Sequence, residues 1–113
     1  MRGYDPHLHG MRHTIIVFCP ADVDEYDIAK WLEGIGFAEA TPLMVRSAKG
    51  VIEYFKNTIS KVVTTFYGND MIDLILDNVL FEWKNGKLLP ITGKKAIVGN
   101  YEKGVVIRVY RVR

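Results

Sequence analysis

Glutamine is missing from this chain, serine occurs only at Ser47 and Ser60, and there is one cysteine, Cys19. A single cysteine cannot close an internal disulfide, so the fold must rest on its core, and a reducing, cytoplasmic setting is the expectation. Histidine is confined to His7, His9 and His13. No apolar run approaches the ~20 residues that span a bilayer. Met1 to Gly10 carry no apolar h-region, so neither a secretory signal nor a membrane partner is expected. Together these absences exclude a membrane-spanning helix and a disulfide scaffold.

What is present is an ordinary globular composition, 49% hydrophobic and 25% charged over 113 residues. That length suits one domain, and a chain of this size buries roughly two-thirds of its unfolded surface. Many Lys, Arg and Glu residues without Gln are a compositional mark of proteins from hot environments. The net charge of +2 conceals an asymmetry. Met1 to Trp83 carry −5 (7 Lys and Arg against 12 Asp and Glu), whereas Lys84 to Arg113 carry +7 (8 Lys and Arg against Glu102 alone). A basic end on an acidic body points to an anionic partner or to self-association.

Residues 1–12 have no periodicity and contain Gly3, Pro6 and Gly10, which predicts an irregular arm ahead of a single domain over 13–113; Met11 is a second candidate start. His13 to Cys19 is an apolar, β-branched run of the kind buried on both faces of a sheet, and Pro20 stops it. Asp22, with Glu25 three residues on, predicts a helix N-terminus. Ile28, Trp31, Leu32 and Ile35 form its core-facing stripe, and Gly36 is placed at the left-handed position after its end. Phe37 to Arg46 reads as a strand whose Pro42 favours an edge or a bulge.

Ser47 is expected to cap a longer helix with the stripe Val51, Ile52, Phe55, Ile59, Val62, Val63 and Phe66, closed by Gly68. Asn69 is expected to cap a third helix through Asp77. Val79–Lys84 and Lys87–Ile91 flank Asn85-Gly86, the strongest short-range signal of a hairpin with a type I′ turn. Lys95–Val98 and Val105–Val112 predict a second hairpin. The order β-α-β-α-α-β-β-β-β implies an α+β two-layer domain, with helices packed on one face of a mixed, mostly antiparallel sheet.

Five constellations bear on chemistry. Asp5-Pro6-His7-Leu8-His9 resembles the opening metal motif of amidohydrolases and of polymerase-and-histidinol-phosphatase-type hydrolases. That motif ends a barrel strand, and a chain of this length cannot build a barrel of ~250 residues. Thr14 to Phe37 resembles the start of a thioredoxin-fold protein: strand, Cys19-Pro20, helix, Gly36-Phe37. Asp22 stands where the second cysteine would be, and the chain ends in strands rather than a helix, so Cys19 is expected to be a packing residue. The carboxylate groups Asp22, Asp24, Asp27 and Asp70, Asp73, Asp77 lack the spacing of a calcium loop and read as caps and solvated faces. Thr92-Gly93-Lys94-Lys95 is followed by Ala96, not by the Ser or Thr of a phosphate-binding loop.

The fifth is the basic, aromatic-interleaved C-terminal sheet. Lys84, Lys87, Lys94, Lys95, Arg108, Tyr110, Arg111 and Arg113 are its candidate binding residues. Arginine with aromatic side chains on a sheet suits single-stranded nucleic acid, through phosphate contact and base stacking. Lysine at hairpin tips also protects edge strands against aggregation. No catalytic residue, metal ligand or cofactor is expected. The chain reads as a small non-enzymatic module that binds DNA or RNA. The alternative is a structural protein whose acidic and basic surfaces join copies into a homo-oligomer.

Overall fold

A long apolar run needs cover on both sides, and the central strand obtains it. The structure is a computed structural model and describes residues 10–59, 70–91 and 101–112. Its strands are β1 (Gly10–Cys19), β2 (Glu39–Ser47), β3 (Leu80–Lys84), β4 (Lys87–Pro90) and β5 (Lys103–Val112). Its helices are α1 (Glu25–Gly34), α2 (Ala48–Tyr54), α3 (Lys56–Ile59) and α4 (Met71–Asp77). The sheet order is β2-β5-β1-β3-β4. Only the β1–β3 pair is parallel among these strands, so the sheet is mixed and mostly antiparallel, as expected for an α+β domain.

Alternate residues of β1 enter different cores. Ile15, Val17 and Cys19 pack with Ile28 and Leu32 of α1, Ile75 of α4, and Phe81, Val105 and Ile107 of the sheet. Ile16 and Phe18 pack with Ala48 and Val51 of α2, Ile59 of α3, Leu80 and Val106. The expected helical layer on one face is therefore made by α1 and α4. The short α2–α3 segment covers part of the second face, which the run from Ile15 to Cys19 requires, since water there would meet Ile16 and Phe18.

Several boundaries move. β1 begins at Gly10, inside the expected arm, because backbone pairing with β5 continues out to Gly10 opposite Val112. The α1 cap is Asp24 rather than Asp22: its Oδ1 accepts from the Tyr26 N–H at 2.9 Å. Gly36 follows the α1 end with φ 128°, a conformation other residues rarely adopt. β2 is an edge strand of the described sheet, and its register shifts between Pro42 and Met44, as the proline implied. Ser47 caps α2 as expected, its Oγ accepting from the Gly50 N–H at 3.1 Å.

The long second helix is broken at Phe55, which leaves α2 and α3 as separate short elements. Phe55 still donates to the Val51 carbonyl at 3.0 Å and accepts from the Ile59 N–H at 2.8 Å, so the two short helices meet at this residue. Phe55 is only half-buried, and Val62, Val63, Phe66, Gly68 and Asn69 lie outside the described residues. α4 is capped by Asp70, whose Oδ1 accepts from the Asp73 N–H at 2.8 Å. The strand expected over 95–98 also lies outside the described residues.

Candidate nucleic-acid interface

The β3–β4 hairpin places the first two cations. Asn85 (φ 54°) and Gly86 (φ 72°) supply the two positive φ angles of a type I′ turn. Lys84 faces Lys87 across it, and both are exposed. Trp83 lies opposite Leu88 on the other face and meets Trp31 of α1 edge-on, ring centroids 5.8 Å apart.

β5 places the others on two opposite faces. Arg108 is level with Thr14 of β1 and Thr41 of β2, and Tyr110 with Arg12 and Glu39. By strand alternation Arg108, Tyr110 and Val112 share the face of Val106, on which α2 packs. Arg12 lies over the Tyr110 ring, 5.8 Å from its centroid, a cation–π distance. Tyr110 also lies across Gly10, where a Cβ would collide with its ring and hydroxyl. Val106 is buried, whereas Arg12, Thr14 and Arg108 are exposed. Among the described residues, the helical cover of this face thus ends before the Arg12–Arg108 end of the sheet.

Arg111 points to the opposite face, where its Nη1 meets Oδ1 of Asp73 on α4 at 3.2 Å. Both groups are substantially exposed, so the pair contributes little to stability. Lys84 and Lys87 lie beyond the other end of β1. Extending the register from Glu82 opposite Phe18, they sit ~20 Å along the strands from Arg108. The structure therefore brings Arg108 and Tyr110 together with Arg12 and Thr14. It does not bring them together with Lys84, Lys87 or Arg111. Lys94, Lys95 and Arg113 lie outside the described residues. Arg12 was missed because residues 1–12 read as an arm. The alternation of Met11, Arg12, His13 and Thr14 was the signal that could have placed it on a strand.

Several residues of the remaining constellations have packing or capping roles, and Thr92-Gly93-Lys94-Lys95 lies outside the described residues. His13 donates from Nε2 to the Asn78 carbonyl oxygen at 2.8 Å, tying β1 to the end of α4. His7 and His9 lie outside the described residues, and no cluster of three metal-ligating side chains occurs among those described. Asp24 and Asp70 are helix caps, and Asp73 meets Arg111. No helix among the described residues is long and apolar enough to cross a membrane.

Cys19 is buried in the core. Burial pushes its thiol above the ordinary value; Lys103 opposes that shift, while Glu25 and Asp22 add to it. The reactive thiolate is thus disfavoured in the folded state. We expect a disulfide reagent such as Ellman's to label Cys19 far more slowly in the native protein than in urea. Equal rates would show an accessible thiol and undo this placement.

Comparison with known proteins returned no matching family model, no matching curated protein and no matching solved structure.

Proposed function

We propose that this chain is a small binding module that takes single-stranded nucleic acid on the Arg12–Arg108 end of its sheet, which no helix among the described residues covers. The observation that carries the reading is Arg12 stacked on Tyr110, with Arg108 on the next row of the same face. Guanidinium groups pair with phosphates through several N–H donors at once. The exposed Val112 beside the half-buried Tyr110 offers an apolar surface to an unstacked base. Thr14 flanks Arg108 with a hydroxyl on one side, while Thr41 on the other donates its hydroxyl to Glu39 at 3.1 Å. A sheet face reads unstacked bases better than a duplex, whose bases are already stacked. Lys84 and Lys87 lie too far along the sheet to share one short strand with this patch.

The test is fluorescence-anisotropy titration with single- and double-stranded oligonucleotides at about 50 mM salt, where phosphate contacts are strongest. Single strands should bind more tightly than duplexes, with affinity falling steeply as salt rises. The double variant Arg12→Ala, Arg108→Ala removes two phosphate contacts, which should lower the log–log salt slope by about 1.4, or ~0.7 for each contact. Lys84→Ala with Lys87→Ala should leave short single strands bound. An absence of oligonucleotide binding at high micromolar protein would reject the reading. It would leave self-association through the acidic helices and the arginine end of the sheet, which sedimentation would detect.

A further inference from the structure

Where the parallel strands β1 and β3 run out side by side, a cavity of about 250 Å³ opens among Phe18, Glu82, Trp83, Lys84, Tyr101 and Glu102. In open parallel α/β sheets ligand crevices lie outside the carboxyl ends of the strands, and this cavity has that position relative to the parallel pair β1–β3. The chain reaches this place from three separate segments, and neighbouring residues in the sequence do not announce it.

The wall is aromatic. Phe18 stacks on Tyr101 with ring centroids 5.2 Å apart and planes 23° from parallel. The Tyr101 hydroxyl donates to Glu82 Oε2 at 2.7 Å. That bond and burial push the Tyr101 phenol up to about 12, burial being the larger cause, so at neutral pH the phenol keeps its proton and holds the carboxylate in place. A carboxylate has about four acceptor positions, and one hydrogen bond uses one of them. Glu82 therefore keeps capacity for a further donor beside an apolar surface.

Charge selects that donor. Glu82 is half-buried and its field is weakly screened, whereas Lys84 is exposed at the rim and screened by water. Glu102, also at the rim, adds negative potential. An anion would meet Glu82 directly. A purely apolar guest would strip water from the carboxylate and return no hydrogen bond. A protonated amine satisfies it, and the neighbouring Tyr101 ring adds cation–π attraction. The volume is below the ~300–1,000 Å³ of drug-sized sites, which limits the guest to about one ring with a short arm.

We propose that this cavity binds a small aromatic amine, its ring against Tyr101, which is backed by the buried Phe18, and its protonated nitrogen on the Glu82 carboxylate. The site lies on the same face of the sheet as Arg12 and Arg108 but toward the opposite end of β1, and it stands whether or not nucleic acid binds at the arginine end.

The experiment is a ¹H–¹⁵N correlation titration of the full chain with 2-phenylethylamine and, in parallel, phenylacetate. The amine should shift the Phe18, Glu82 and Tyr101 amides saturably, and phenylacetate should not. Glu82→Gln keeps the shape and removes the charge. It should weaken the amine by about tenfold, the size of one lost charge-assisted contact. Tyr101→Phe keeps the ring and loses the anchor on the carboxylate, and should weaken it less. Arg12→Ala with Arg108→Ala should leave the amine titration unchanged. Absence of a saturable shift with the amine, an equal response to phenylacetate, or full affinity in Glu82→Gln would each overturn the proposal. The amine-to-acid comparison uses the unaltered chain and stands even if a variant fails to fold.

Discussion

Phe81→Ala is expected to cost ~3–5 kcal/mol of unfolding free energy. Phe81 has no exposed surface and packs in the cluster of Ile28, Leu32, Ile75 and Ile107. It is the second residue of β3, level with Val17 of β1 on one side and Pro90 of β4 on the other. Helices α1 and α4 close over it. Truncation removes the ring's transfer free energy and leaves a hole that two paired neighbours cannot collapse into. Domains of this kind are stable by only ~5–15 kcal/mol, so the loss takes a large share of the total. Urea unfolding followed by tryptophan fluorescence measures it through the shift in midpoint at constant slope. Phe55→Ala should cost clearly less, because Phe55 is half-buried at the break between α2 and α3. Equal losses for the two variants would show that Phe81 is not central to the core.

Gly104→Ala is expected to destabilise by ~1–3 kcal/mol even though it adds a single methyl group. Gly104 is buried in β5, where α2 crosses the sheet. A Cβ there would lie 2.6 Å from Cγ2 and 2.8 Å from Cβ of Val51, closer than carbon atoms approach. Val51 is β-branched and held to essentially one rotamer in a helix, so it cannot swing aside. α2 would have to lift away from Val106 and Ile16, opening that core. The diagnostic is a double-mutant cycle with Val51→Ala. Val51→Ala alone costs stability by leaving a void; placed in Gly104→Ala it removes the Cγ2 contact and leaves the Cβ contact, so it should relieve part of the collision and the double variant loses less than the two singles combined. Strict additivity would mean that α2 is not seated on Gly104.

Local patterns carried far when the information was local. Asn85-Gly86 specified its turn because type I′ geometry requires two positive φ angles, and the flanking strands paired in the register that turn imposes. The stripe Ile28, Trp31, Leu32, Ile35 placed the buried face of α1. Ser47 stood at its cap and Pro42 beside the irregularity in an edge strand. Errors fell where neighbouring residues offered equal chemistry. Asp22 and Asp24 can each accept from a helix N-terminus, as can Asn69 and Asp70, and only backbone geometry chose between them.

The sequence by itself therefore determined the α+β class, the mixed sheet's central apolar strand, the first hairpin and the separation of acidic body from basic end. Each follows from periodicity, turn chemistry or charge counted along the chain. Tertiary structure decided which charges meet. A count along the sequence places Lys84, Arg108 and Arg111 in one basic segment. Strand alternation sends Arg108 and Arg111 to opposite faces, and the register carries Lys84 ~20 Å away from Arg108. It also set Arg12 on Tyr110 and Tyr101 on Glu82. Such pairings depend on which strands lie side by side, an outcome of the order β2-β5-β1-β3-β4 that no short stretch of sequence encodes.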